Sequence, residues 1–465
     1  MTSDCGSGMG NRIFYHIYPL GFCGAPERND FRQPAGPGLR SLASHIPRLE
    51  ELGINALYLG PLFESTAHGY DTLDYYHVDR RLGNNGDLKS LIRAFHDQGF
   101  IVILDGVFNH TGRHFFAFRD LVEKREASAY RDWFYRLDFT GRSPLGDPFR
   151  YEGWNGCYDL VKLNGASREV REHLFGAVRF WIEEFDIDGL RLDAADQLLP
   201  DFMDELSVRS KEMKRDFWLM GEVVHGDYRR WAGEGRLDSV TNYELYKSLW
   251  SSFNDRNFYE LSWSLRRQSG PDGLYRNIKL YTFADNHDVN RAASVLRNPA
   301  HLFPLYGLLF TMPGIPSIYY GSERGMRGEK RNNSDSPLRP AWEDQDGRLP
   351  PENRPAAGVG ALSGAIRDFI RIRRENPALW DGGYWELLTA HEQFAFLREG
   401  PGGQAIIVAV NSAESGKTIS LPGNVPGRNG RTRWRDLLSG ADFYPDAGRL
   451  TVPLERSWLR ILKRE

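Results

Sequence analysis

Eight short apolar runs alternate with amphipathic helical patterns, one connection is far too long for its place, and the pattern changes near residue 381. Together these predict an α/β protein: a (β/α)8 TIM barrel with an inserted loop subdomain after strand 3 and a C-terminal antiparallel β-sandwich. Strands are expected at residues 13–17, 56–59, 101–107, 189–193, 218–223, 240–243, 280–284 and 317–320, the number that closes a parallel barrel.

Each element has a local reason. Asp87, after Gly86, can cap a helix whose Leu88, Leu91, Ile92 and Phe95 share a face, and Gly99 is placed to end it. Residues 167–185 repeat that pattern with Val170, Leu174, Ala177, Trp181, Ile182 and Phe185. Between Asn109 and Asn164 lie more than fifty residues, dense in aromatics and charge. On a barrel, such a βα loop is functional or a small subdomain. A second polar excursion, residues 325–360, follows the eighth strand. Further on, AHEQFAFLRE, QAIIVAVNS and TRWRDLLSG read as short strands. The domains expected are the barrel (1–110 and 165–380), the insert (111–164) and the β-sandwich (381–465).

Composition narrows the function classes. A hydrophobic content of 41% with 13% aromatics supplies a large core. A net charge of -3 offers no basic face for nucleic acid and no polybasic membrane signal. Cys5, Cys23 and Cys157 are odd in number and far apart, so they suggest neither a disulfide framework nor a zinc spacing. The start, MTSDCGSGMG, lacks the pattern of a secretory leader, and no apolar run approaches a bilayer span. A cytoplasmic setting is expected.

The run GLRLDAAD, residues 189–196, puts Leu190 and Leu192 on one face of a strand and Arg191 and Asp193 on the other. Two inward charges cost several kcal/mol each unless paired. Taken alone, they are as compatible with a structural ion pair as with a catalytic carboxylate. Other strand ends change the balance. Strand 3 ends in Asp105, Asn109 and His110, strand 5 in Glu222, and strand 7 in His287, Asp288 and Arg291. Barrel active sites lie at that rim. Three carboxylates there, with two histidines and two arginines, are hard to explain as packing. Asp193 and Glu222 are 29 residues apart, about one strand–helix–strand unit. Two carboxylates with separate roles are what glycoside hydrolysis needs. Asp193 beside Arg191 is expected to stay ionised, as a nucleophile must. Glu222, in the apolar run WLMGEVV, suits the acid/base.

DGVFNH, GLRLDAA, GEVV and FADNHD, in that order at the expected strand ends, resemble the four motif regions of the alpha-amylase family of glycoside hydrolases. GINALYLGPLF, HGYDTLDYYHVD and GIPSIYYGSE resemble further family segments. The resemblance implies that Asp193 is the nucleophile, Glu222 the acid/base and Asp288 the third carboxylate, which binds sugar hydroxyls in subsite −1. It implies that Arg191 orients the nucleophile, that His110 and His287 hydrogen-bond the sugar, and that Tyr70 stacks under its ring. Asp71 and Arg291 would help shape the site, although a structural salt bridge fits them equally.

YDLVKLN resembles a segment of the cyclomaltodextrinase, neopullulanase and maltogenic amylase branch. This implies oligo- and polysaccharide α-glucans as substrates: cyclodextrins, maltodextrins and starch. The first strand begins near Ile13, which leaves no room for that branch's extra N-terminal domain, so a monomer or weak oligomer is expected. The tryptophan platform common two residues after the acid/base is Val224 here, and Trp154 or Phe149 could replace it. No cofactor is required. Asn109 matches an asparagine that ligates a structural calcium in many relatives, with Asp138, Asp147 and Asp159 as candidate partners. Alternatives are an exo-acting α-glucosidase, an α-glucan transglycosylase and a non-catalytic glycan-binding barrel.

Overall fold

The computed structural model describes residues 8–331, 334–343, 349–423 and 433–465. Its centre is a parallel sheet of eight strands: β1 (Phe14–Ile17), β2 (Ala56–Leu59), β3 (Ile101–Gly106), β4 (Gly189–Leu192), β5 (Trp218–Gly221), β6 (Ser239–Val240), β7 (Tyr281–Phe283) and β8 (Ile315–Tyr319). They follow one another in the order β6-β5-β4-β3-β2-β1-β8-β7. A parallel bridge from Thr241 to Tyr281 joins the two ends, and the Asn242 N–H donates to the Tyr281 carbonyl at 2.8 Å. The sheet is therefore a TIM barrel.

Side-chain alternation sorts the strands into two cores. Phe14, Tyr58, Ile103, Trp218, Met220, Tyr281 and Phe283 fill the lumen. Their neighbours, such as Leu57, Leu104, Leu190, Leu192 and Leu219, pack outward against the helices. Arg191 alternates with Leu190 and Leu192 and so faces the lumen. Asp105 is its register partner on β3.

Strand 6 is shorter than expected because Asn242 leaves the sheet. Its side chain caps helix Tyr243–Asn254 by accepting the Leu245 N–H. Helix Asn85–His96 starts two residues before the expected cap. Asn84 and Asp87 form a reciprocal capping box, each side chain accepting the other's backbone N–H. Strand 8 starts earlier than expected because Pro316 is accommodated within it.

The long connection after β3 carries helix Phe116–Lys124 and a sheet of His110–Gly112, Cys157–Lys162 and Gly153–Trp154. Beyond the barrel, an antiparallel sheet runs through Gly383–Thr389, Gln393–Glu399, Ala405–Asn411, Trp458–Arg464, Trp434–Asp436 and Asp442–Phe443. A second pair, Lys417–Pro422 with Arg449–Leu454, shares its apolar core. Cys5 and the first residue of TRWRDLLSG lie outside the described residues. Cys23 is a half-buried free thiol and Cys157 an exposed one. Among the described residues no helix is long and apolar enough to cross a membrane.

Candidate active site

The carboxyl ends of the barrel strands open into a cleft of about 1240 Å³ lined by Tyr70, His110, Asp193, Glu222, Tyr243 and Asp288, among others. The barrel register explains how its centre is built. Arg191, on β4, sits between β3 and β5. Its Nη1 lies 2.8 Å from Asp105 Oδ1 and 2.9 Å from Asp193 Oδ1, and its Nη2 lies 2.8 Å from Glu222 Oε2. One guanidinium thus serves three carboxylates. The opposite side of Asp105 accepts hydroxyl hydrogen bonds from Tyr58 at 2.9 Å and Tyr70 at 3.2 Å.

Asp193 follows the last residue of β4, and the chain turns sharply after it. Ala194 is left-handed, with φ 45° and ψ 46°. This conformation costs a non-glycine residue about 1–3 kcal/mol. It aims the Ala194 N–H at Glu222 Oε2, at 3.2 Å. The Tyr243 hydroxyl donates to Glu222 Oε1 at 3.3 Å and itself receives the Asn286 amide at 3.0 Å. Glu222 is therefore held in place on both oxygens.

Asp193 keeps Oδ2 free of Arg191. The nearest ring nitrogen to that oxygen is His110 Nε2 at 3.8 Å, a buried atom with no hydrogen-bond partner among the described residues. Burial, with the charge of His68 adding, pushes the His110 imidazole down to about 3, so it is neutral near pH 7. Asp288 is placed by a second cation. Arg339 Nη2 lies 2.8 Å from Asp288 Oδ1, and His287 Nε2 lies 2.9 Å from Oδ2. The Tyr70 hydroxyl contacts the same His287 nitrogen, and the two rings stack at 9°.

The charges do not divide as the strand pattern suggested. Burial pushes the Asp193 carboxyl well above the ordinary carboxylate range. Arg191 opposes the rise, while the charges of Glu222, Asp105 and Asp288 add to it. Arg191 cannot keep Asp193 ionised by itself because it is shared three ways. At Asp288 burial also disfavours the charge, but His287, Arg339 and Arg191 outweigh it and hold that carboxyl well below the usual range.

The structure brings together Asp193, Glu222, Asp288, Arg191, Tyr70, His110 and His287. Two expected residues are elsewhere. Arg291 is fully buried beneath the rim. It donates to the carbonyls of Tyr320 and Leu338 and stacks on the Tyr319 ring at 4.0 Å, so it braces the loop after β8 and cannot reach a sugar. Asp71 is turned back into its own loop, accepting the Ala67 N–H at 2.8 Å. Phe149 is fully buried within the insert against Phe118, Phe139 and Tyr151, so it is no platform. Trp154 does line the cleft, 5.5 Å from the His110 ring, and Val224 lines it as well.

Asn109 turns its amide toward His110 Nδ1 at 3.2 Å. Asp147 is engaged by Arg113, Ser143 and Tyr151, and Asp138 by Thr140. Among the described residues no group of three or more His, Cys, Asp or Glu is arranged to hold a metal ion.

Sequence reasoning missed Arg339 and Tyr243. Arg339 sits in the polar excursion after β8, 51 residues from Asp288, and no spacing signals that contact. Tyr243 stood at the end of an expected strand, where a polar-tipped aromatic on the rim was a usable sign.

Comparison with known proteins agrees with this geometry. The alpha amylase catalytic domain family matches residues 16–350. Neopullulanase 2 of Thermoactinomyces vulgaris is 31% identical over 95% of this chain and 76% of its own length. The cyclomaltodextrinase of Thermoanaerobacter pseudethanolicus is 31% identical over 94% of this chain and 75% of its own. Among solved structures, the cyclic alpha-maltosyl-(1→6)-maltose hydrolase from Arthrobacter globiformis superposes with a TM-score of 0.78 at 25% identity, covering 98% of this chain and 99% of that one. The chain belongs to the alpha-amylase family of glycoside hydrolases.

Proposed function

We propose that the protein hydrolyses α-1,4-glucosidic bonds of cyclodextrins, maltodextrins and starch with retention of configuration, and transfers some glycosyl groups to acceptor sugars. The observation that carries this reading is the single guanidinium of Arg191 joined to both Asp193 and Glu222 at the floor of the cleft. Carboxylates near enough to share one cation suit direct attack, for which about 5–5.5 Å is expected between the two groups, rather than the wider gap that admits a water.

In this scheme Asp193 Oδ1 stays on Arg191 and Oδ2 attacks the anomeric carbon. Glu222 gives a proton to the departing glycosidic oxygen. The bond to that oxygen breaks as the ester to Asp193 forms. Water, or the hydroxyl of a second sugar, then gives its proton to Glu222 and releases Asp193. His110 and Asp288 meet the hydroxyls of the distorted sugar, and Tyr70 lies beneath its ring. The scheme draws on side chains alone.

Initial rates on β-cyclodextrin, soluble starch, pullulan and maltotriose test the reading, with Glu222→Gln as the blank. Wild-type turnover of glucan is expected, falling by about 10²–10⁴-fold in the variant. The first product seen by NMR should be the α-anomer. No activity above the blank on any substrate would defeat the hydrolase reading, and a β-anomer would defeat the covalent one.

A further inference from the structure

The connection after β1, residues 24–37, contains no helix or strand, yet two adjacent arginines staple it in place. Arg81 and Asp79 are both 1% exposed. They form a fork, Nε to Oδ1 at 2.9 Å and Nη2 to Oδ2 at 2.7 Å. The other Arg81 donors go to Ser65 Oγ at 2.8 Å and to the carbonyls of Ala67 at 2.7 Å, Pro26 at 3.0 Å and Glu27 at 3.3 Å. All five N–H groups of the guanidinium are therefore used. Arg80 repeats the arrangement one residue earlier. Its Nε lies 2.6 Å from Glu64, and it donates to the Phe31 carbonyl. Asn29 adds amide bonds to Glu64 and to the Ser65 carbonyl, each at 3.1 Å.

Burying the Arg81–Asp79 pair carries a large desolvation penalty, offset here by complete hydrogen bonding. Neither arginine is bonded to a reacting carboxylate. What they position is the tip of the loop, where Pro26 and Glu27 line the cleft. A run of contacts links that tip to Asp288. Asp288 is held by Arg339, whose guanidinium lies 4.7 Å over the Tyr18 ring. The Tyr18 hydroxyl donates to the His68 carbonyl at 2.7 Å. The neighbouring Ala67 carbonyl shares Arg81 Nη1 with that of Glu27. Glu27 is thus tied through this run to the Asp288 side of the cleft, whereas Glu222 is held by Tyr243. The Glu27 side chain is exposed, and no described residue pairs with its carboxylate.

We propose that Glu27 is a specificity-determining residue, accepting hydrogen bonds from hydroxyls of a glucose unit beyond the one beside Asp288, and that Arg81 is the positioning residue that holds it there. The inference rests on the glucan reading of the cleft. A carboxylate offers only acceptors, and its hydrogen bonds to hydroxyls are stronger than neutral ones. A wall already fixed by two arginines loses little freedom when sugar binds.

The test uses the full chain and 4-nitrophenyl α-glycosides of one, two and three glucose units, reading nitrophenol release. For Glu27→Ala, kcat/KM should fall about tenfold on the two- and three-unit glycosides and stay within about twofold on the one-unit glycoside. Glu27→Gln, which keeps one acceptor, should recover part of the loss. Arg81→Lys should raise KM with the same dependence on length while kcat is kept. Equal effects at all three lengths, or none, would overturn the inference. Wild-type enzyme no faster than the Glu222→Gln blank on all three would instead bring down the glycosidase reading itself.

Discussion

The arginines buried at the cleft floor and behind the barrel are held on opposite terms. At the cleft floor, Arg191 meets Asp105, Asp193 and Glu222, so negative charge exceeds positive. Behind the barrel, Arg373 and Arg398 form no ion pair with a carboxylate among the described residues. Arg373 donates to the carbonyls of Phe310, Met312, Gly10 and Gly314. Arg398 donates to those of Thr311, Leu379, Gly382 and Gly383. Helix Leu302–Thr311 ends here, and its last carbonyls need donors. The arginine pair supplies them and ties the barrel to the C-terminal sheet. Burial pulls both guanidiniums below their ordinary range, and the Arg398 charge adds to the effect at Arg373. A buried charge is therefore no mark of a site by itself. The mark is a surplus of like charges left facing a cavity.

That contrast can be broken first at Arg191. Its planar fork reaches three carboxylates, which a single ammonium cannot do. Arg191→Lys should lower kcat by roughly 10²-fold or more through misplacement of Asp193 and Glu222, while the melting temperature changes little. A variant with near wild-type turnover would show that the fork is merely structural. Arg398→Met should do the reverse. Unpaired carbonyls at the end of helix Leu302–Thr311 should destabilise the fold by about 2–3 kcal/mol, with kcat per folded molecule unchanged. A fall in kcat matching that of Arg191→Lys would erase the distinction between the two places.

The barrel was legible in the sequence because its strands are uninterrupted apolar runs at regular spacing, and Arg191 and Asp105 stood out against them. The motif order also located His110, His287 and Tyr70. What could not be read was sharing. Alternation places Arg191 on the lumen face but cannot say that Asp105 on β3 and Glu222 after β5 converge on the same guanidinium. Arg291 was left open between two roles for a related reason: it is three residues from Asp288, but the chain turns between them and sends its side chain beneath the rim. Arg339, Arg81 and Arg398 act across folds of the chain on backbone carbonyls or on distant carboxylates, and neither partner leaves a periodic trace.

The smallest effect expected is a shift of the acid limb, and it bears on the surplus charge most directly. In the proposed mechanism Asp193 must be ionised to attack, and its carboxyl is raised by burial and by the charges of Glu222, Asp105 and Asp288. Activity should therefore fall, as pH drops, at a value above the ordinary aspartate range near ~4. The same shift acts on the fold with opposite sign. Protonated Asp193 stabilises the folded chain below its unfolded value, and that contribution is lost as pH rises through the raised folded value. Asp105→Asn removes one of the raising charges and leaves Arg191 one fewer carboxylate to serve. On an α-maltosyl fluoride, whose leaving group needs no acid, the limb of kcat/KM should move to lower pH by up to about one unit, equivalent to ~1.4 kcal/mol. A limb that stays in place or moves upward would mean that Asp193 and Asp105 do not feel each other's charge, and the shared guanidinium would then be a scaffold like the one behind the barrel.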